Sequence, residues 1–177
     1  MKPKVLIVDD DEEIRSQMKW ALLQDYDVLL AEDRPSAIAA FRESRPLVVV
    51  LDLGLPPSPG GPEEGMATLA ELLTLDNLTK VVIATGQAEK DNALRAIGLG
   101  AYDFMCKPIQ MEELKAILNR GFHVAQLERE YREMRQRWST DTFEGMLGSS
   151  PPMQEVFTTI RKVATCLLYT SPSPRDS

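Results

Sequence analysis

The chain has 177 residues, enough for one hydrophobic core plus a remainder and too few for two full-sized domains. Its 27 acidic against 20 basic side chains leave a net charge of −7, which excludes a chain built mainly to coat nucleic acid, and 44% hydrophobic with 27% charged residues excludes wholesale disorder. Two cysteines (Cys106, Cys166) and one histidine (His123) exclude a disulfide framework and a multi-histidine metal site; no run nears the roughly 18 apolar residues of a membrane span, so a reducing cytoplasm and no membrane partner are expected.

Val5-Leu6-Ile7-Val8 reads as a strand buried on both faces, too short for the core of a signal peptide. Five acids, Asp9 to Glu13, follow it, and then Ile14, Met18, Ala21 and Leu22 recur at helical spacing. Val28-Leu29-Leu30 is a second strand and residues 35–44 a second helix, with Pro35 in its first turn. Residues 47–51, Leu-Val-Val-Val-Leu, carry the strongest strand signal, and Met66, Leu69, Ala70, Leu72 and Leu73 the apolar face of a third helix. Val81 to Ala84 is a fourth strand, residues 92–97 a short helix stopped near Gly98 and Gly100, residues 101–105 a fifth strand, and a fifth helix starts at Met111. Five strand–helix units in a row predict an α/β fold with a parallel sheet covered on both faces. Residues 54–65, with four prolines and Gly54, Gly60, Gly61 and Gly65, form a connection longer than the usual 2–6 residues.

Beyond residue 120 the pattern changes. Val124, Leu127, Tyr131, Met134 and Trp138 follow a 3-4-3-4 spacing between charged flanks, a heptad-like seam extending the fifth helix. Residues 139–150 read as a polar linker and 153–164 as a further helix. The tail from Cys166 is turn-like and of low complexity. Its segment CLLYTSPSPRD is also the translation of a transposase sequencing-adapter end, so residues 166–177 are expected to be a sequencing artefact.

The polar residues at strand ends carry the chemistry. Asp9 and Asp10 follow the first strand and Asp52 the third, and a parallel sheet brings these ends to one edge. Three such carboxylates repel unless a cation neutralises them, and carboxylate and carbonyl oxygens with water suit Mg²⁺. Thr85 and Lys107 end the fourth and fifth strands on that edge. A hydroxyl, an ammonium and a divalent cation around one carboxylate make a phosphoryl site in which Asp52 attacks phosphorus to give an aspartyl phosphate. Taken singly each residue has a plainer role: a helix N-terminus for the acids, a turn for Asp52 and Thr85, a surface lysine for Lys107. The joint occurrence in order is what points to the site.

Residues 1–122 resemble a response-regulator receiver domain of two-component signalling, in the segments VLIVDDD, VVVLDLGLP, VVIAT and GAYDFMCKP. The resemblance implies a flavodoxin-like, doubly wound five-stranded sheet of order 2-1-3-4-5. It implies Asp52 as phosphoacceptor of a sensor histidine kinase, and Asp9, Asp10, Asp52 and the Gly54 carbonyl around Mg²⁺, with Asp10 and Gly54 favoured as direct ligands. Thr85 is then the switch hydroxyl, Phe104 the aromatic switch, Lys107 the cation at the phosphoryl group, and Lys107–Pro108 a cis peptide. The family usually has a glycine about eight residues after the phosphoacceptor; here Gly65 stands thirteen on, making the proline-rich loop an insertion, an expansion similar to that of regulators tied to exosortase (PEP-CTERM) systems.

Residues 145–164, GMLGSSPPMQEVFTTIRKVA, resemble the opening of the ATPase domain of sigma-54-dependent transcriptional activators, although a capped helix with Ser150 as N-cap would read the same. The expected organisation is a receiver over 1–122, a helical linker and dimerisation seam over 123–144, with a homodimer through 124–138, a truncated AAA+ start over 145–165 and the artefact tail. No phosphate-binding loop or helix-turn-helix follows, so DNA and sigma-54 RNA polymerase would be reached only through domains absent here, and the chain itself is expected to be no enzyme beyond Mg²⁺-dependent self-phosphorylation and slow dephosphorylation. Two alternatives stand beside this. A metal-dependent aspartyl phosphohydrolase would want a second Asp two residues after the nucleophile, where Gly54 stands. A phosphorylation-independent interaction module would be indifferent to Asp52→Asn.

Overall fold

The apolar runs form a single five-stranded parallel sheet in the computed structural model, which describes residues 2–57 and 60–141. The strands are β1 (Lys4–Val8), β2 (Asp27–Ala31), β3 (Val48–Asp52), β4 (Lys80–Thr85) and β5 (Asp103–Cys106), in the order β2-β1-β3-β4-β5. The helices between and after them are α1 (Glu12–Leu22), α2 (Arg34–Ser44), α3 (Glu63–Leu75), α4 (Lys90–Gly98) and α5 (Met111–Asp141). The expected doubly wound fold is the observed one. The linker, ATPase-like and tail segments expected beyond residue 141 lie outside the described residues.

The strands are apolar on both faces because both faces are covered. Leu6, Val8, Val49, Leu51, Val81 and Ile83 pack with α2 and α3, through Phe41, Leu69 and Leu72. The alternate residues Val5, Ile7, Val48, Val50 and Val82 pack with α1 and α5, through Met18, Leu22, Leu114, Leu118 and Phe122. Tyr26 stacks on Phe122 with centroids 5.1 Å apart. This two-sided burial fixes strand register, since a one-residue slip would exchange the two cores.

Helix starts are set locally. Asp11 caps α1, its side chain accepting from the amides of Glu13 and Ile14. Asp33 and Ser36 form a reciprocal capping box on α2, which holds the Asp33 carboxyl below its ordinary pKa. Helix α3 begins without a side-chain cap, as its first turn is instead held from outside: the Gly65 amide donates to the Leu53 carbonyl at 3.2 Å, and Arg34 pairs with Glu64 and Glu71 at 3.6 and 3.0 Å. Strand β5 starts two residues later than the apolar pattern predicts. The Ala101 amide still serves the end of α4, donating to Ala96, and Tyr102 only then donates to Val81.

Helix α5 runs 31 residues without a break across the expected boundary at 122. The compact unit ends at Arg132, and residues 133–141 continue the helix. Between Phe122 and Arg132 the helix is fastened to the turn before β4: Ala125 is buried, Lys80 pairs with Glu128 at 2.6 Å, Arg129 with Asp76 at 2.6 Å, and Arg132 donates to Asn77 at 3.0 Å. Burial works against ionisation of Asp76, but the Leu78 amide and Arg129 outweigh it and hold its pKa below the ordinary value of 3.8. A lowered carboxylate pKa stabilises the fold fully above pH 3.8, and that contribution is lost as pH falls through the still lower folded value. Asp76→Asn is therefore expected to cost about 1.5 kcal/mol at pH 7, and the gap from the parent chain to narrow in urea melts as pH falls below 3.8.

Candidate phosphoryl-transfer site

Strand order reverses between β1 and β3, since β1 leads outward to β2 on one side and β3 lies on its other side. The crevice at the carboxyl ends of these two strands is where such sheets bind ligands. Asp9 stands one residue past β1 and Asp52 is the last residue of β3. Thr85 ends β4, and Lys107 follows β5, its amide donating to the Thr85 carbonyl at 2.7 Å. Val8 pairs with Leu51, Asp52 with Ala84 and Thr85 with Cys106, so the strand ends are level.

The structure brings the expected acids together. One carboxylate oxygen from each of Asp9, Asp10 and Asp52 lies within 4.8 Å of the others. Asp9 is buried, with 1% exposure, Asp52 is nearly so at 8%, and Asp10 is exposed. Lys107 Nζ stands 3.2 Å from Asp9 Oδ2 and 3.4 Å from Asp52 Oδ2. Burial, aided by the Asp52 charge, raises the Asp9 pKa above 3.8 in spite of the Asp11 amide and Lys107. For Lys107 burial favours the neutral amine, but Asp52 and Asp9 overcome it and raise the pKa above 10.5. The ammonium is therefore fully charged at neutral pH.

Asp9 Oδ1 accepts from the Asp11 amide at 2.9 Å, and Asp52 Oδ1 from the Gly54 amide at 3.2 Å. Asp9 Oδ2, buried, has the Lys107 ion pair and no hydrogen bond. A buried carboxylate oxygen whose one partner is an ammonium, beside two further carboxylates, fits a hard divalent cation such as Mg²⁺.

Thr85 is buried, and its hydroxyl donates to Glu89 Oε2 at 3.4 Å. Phe104 is half-buried against the core on the α2–α3 side of the sheet. Lys107–Pro108 is cis, as expected, and so is Pro56–Pro57. Two site neighbours escaped the sequence reading. Glu89 lies one helical turn after Thr85, a spacing that offered a signal. Arg15 donates to the Asp9 carbonyl at 2.6 Å, but at the sequence level it is one more charge on the first helix.

An aspartate pocket at the switch point of a doubly wound parallel sheet, with a buried hydroxyl and a charged lysine on the same edge, defines a class of phosphoryl-accepting signalling domains. The chain belongs to the response regulator receiver domain family, whose model matches residues 5–119. It is 29% identical over 163 residues to the regulatory protein AtoC of Escherichia coli K12, covering 91% of this chain and 34% of that protein. It is 32% identical over 165 residues to the nitrogen assimilation regulatory protein NtrX of Azorhizobium caulinodans, covering 92% and 35%. Among solved structures it is similar to NtrX from Brucella abortus in complex with ADP, with a TM-score of 0.71 and 30% identity over 93% of this chain and 34% of that one. The isolated receiver domain of that NtrX matches with a TM-score of 0.63 and 32% identity over 67% of this chain and 98% of its own. The chain thus spans about a third of the length of the AtoC and NtrX proteins. Among the described residues no helix is long and apolar enough to cross a membrane.

Proposed function

We propose that the chain is the receiver part of a phosphorelay regulator in which Asp52 takes a phosphoryl group from a sensor histidine kinase. The observation that carries this is the buried Asp9–Asp52 pair bridged by Lys107, with the exposed Asp10 carboxylate beside it. Asp9, Asp10, Asp52 and the Gly54 carbonyl would hold Mg²⁺, which when bound neutralises charge on the transferring oxygens. Asp52 supplies the attacking oxygen. Lys107, already paired to Asp52, lies where developing charge on the phosphoryl oxygens needs a cation. Thr85 would leave Glu89 for the new acceptor oxygens, and Phe104 would follow it inward.

The test is mass spectrometry after incubation with acetyl phosphate and Mg²⁺. The parent chain is expected to gain the mass of one phosphoryl group on Asp52, and Asp52→Asn to gain none. An adduct on another side chain, or rapid steady-state release of phosphate, would contradict the assignment; the second outcome would favour a phosphohydrolase.

The output is proposed to run through α5. Residues 125, 128, 129 and 132 face the domain, whereas Leu127 is 52% exposed, and Met134, seven residues further along the helix, is 60% exposed. We assign that stripe to a homodimer through 124–138, with a second copy burying it. Leu127→Glu combined with Met134→Glu is expected to leave a monomer in sedimentation at concentrations where the parent chain is dimeric. Residues 145–165 are proposed to open an AAA+ ATPase domain, in keeping with relatives about three times as long and with an NtrX that binds ADP. DNA and sigma-54 RNA polymerase would be partners of that longer protein, and residues 166–177 would not belong to it.

A further inference from the structure

The turn that carries the acidic pair is held by a residue with no part in the chemistry so far described. Asp9 is bound on three sides. Its amide donates to the Ala31 carbonyl at 3.1 Å, which ties it to the end of β2. Its Oδ1 accepts from the Asp11 amide at 2.9 Å, and its carbonyl accepts from Arg15 Nη1 at 2.6 Å. The Arg15 side chain is only 14% exposed, and its other terminal nitrogen lies 3.9 Å from Glu32 Oε2 just past β2. Arg15 also belongs to the first turns of α1, its amide donating to the Asp11 carbonyl at 3.0 Å. One guanidinium thus joins α1, the residue after β1 and the residue after β2.

We propose that Arg15 is a positioning residue for the divalent-cation site, fixing the Asp9–Asp11 turn so that Asp9 Oδ2, which Lys107 Nζ meets at 3.2 Å, stays turned into the crevice beside Asp10 and Asp52. The inference rests on the proposed Mg²⁺ reading and extends it to a side chain that touches neither cation nor phosphoryl group. With its amide, carbonyl and Oδ1 all engaged, Asp9 has no cheap rotation that would withdraw Oδ2 from the crevice. Without the guanidinium, the part-buried carbonyl loses its donor, and the turn is free to relax toward water. Removing a group that orients a metal ligand from behind typically costs about 10- to 100-fold in metal affinity.

Charge alone predicts the opposite sign. Arg15 is a cation close to a cation site, so removing it should tighten binding if Coulomb repulsion dominates. Positioning predicts that removal weakens binding. Lysine separates the two further, since it keeps the charge and loses the planar fork that reaches the Asp9 carbonyl and the Glu32 side together.

The experiment is a titration of the 177-residue chain with Mn²⁺, free ion being counted by electron paramagnetic resonance, with no phosphodonor present. Circular dichroism establishes that each variant is folded at the working temperature. Arg15→Gln is expected to raise the Mn²⁺ dissociation constant about tenfold and Arg15→Lys about threefold. In parallel, the Mg²⁺ concentration giving half-maximal Asp52 phosphorylation should rise by the same factors, while the rate at saturating Mg²⁺ stays near that of the parent. Parent-like or tighter Mn²⁺ binding by the folded variants overturns the inference while leaving the cation site intact. Should Arg15→Gln fail to fold, Arg15→Lys decides alone. If the parent chain takes up no Mn²⁺, or Asp10→Asn takes up as much as the parent, the cation site itself falls, and the role of Arg15 with it.

Discussion

Lys107→Gln is expected to slow phosphorylation of Asp52 by acetyl phosphate by about 10²- to 10³-fold, the usual cost of removing one preorganised charge from a transferring group. The Lys107 ammonium lies within 3.4 Å of both Asp9 and Asp52, and those two carboxylates hold it protonated against the effect of burial. The stability consequence has a definite sign. A lysine whose pKa is raised in the fold contributes stability that is complete below pH 10.5 and is lost only as pH rises through the higher folded value. At pH 7 the whole contribution is therefore present, and glutamine removes it. Asp9 is then left facing Asp52 without a counter-charge, and its pKa, already raised by burial and by Asp52, should climb further. Thermal melts should show Lys107→Gln below the parent at pH 7, with Mg²⁺ recovering part of the loss by supplying the missing positive charge. Lys107→Arg keeps the charge but is a broader, planar group, so it should restore most of the stability and less of the rate. Unaltered phosphorylation in Lys107→Gln would remove Lys107 from the site.

The convergence of Asp9, Asp10, Asp52 and Lys107 was readable in advance because these residues sit where apolar runs end. A strand buried on both faces can tolerate a carboxylate or an ammonium only at its tip, so Asp9, Asp52, Thr85 and Lys107 mark four tips, and two-sided burial sets their level. The same logic reads β1, β3 and β4 to within a residue. It loses β5 by two residues, because Ala101 and Tyr102 are apolar enough for a strand while the Ala101 amide is still engaged by α4. Charged contacts between distant segments left no trace in the pattern. Glu128 and Arg129 look like the flanks of a solvated seam, and only the fold shows them on Lys80 and Asp76, about fifty residues earlier. Through the same contacts the compact unit extends to Arg132. Arg15 was hidden differently: its partner is a main-chain carbonyl, a group that every residue has.

Gly65→Ala is expected to destabilise the chain by about 3 kcal/mol or more, although Gly65 lies inside α3, where alanine ordinarily gains about 1 kcal/mol over glycine. The sign turns on space. A Cβ at Gly65 would stand 2.3 Å from the Leu53 Cα and 2.5 Å from its carbonyl oxygen, both main-chain atoms one residue past Asp52. Relief requires α3 to move away from β3, which breaks the Gly65 amide bond to Leu53 and loosens the packing of Leu69 and Leu72 beneath it. Gly61 provides the control. A Cβ there would also meet an atom at 2.3 Å, but that atom is Glu63 Oε2, the end of an exposed side chain that can swing away. Gly61→Ala should therefore stay within about 0.5 kcal/mol of the parent in urea denaturation. The contrast also explains how the long proline-rich connection is accommodated. Because Gly65 must lie against Leu53, the start of α3 is pinned to the end of β3 however many residues intervene. Leu53 and Leu55, the described residues next to β3, are both fully buried there. Shortening that connection while keeping Gly65 should then preserve both stability and Asp52 phosphorylation, whereas Gly65→Ala should lower the two together.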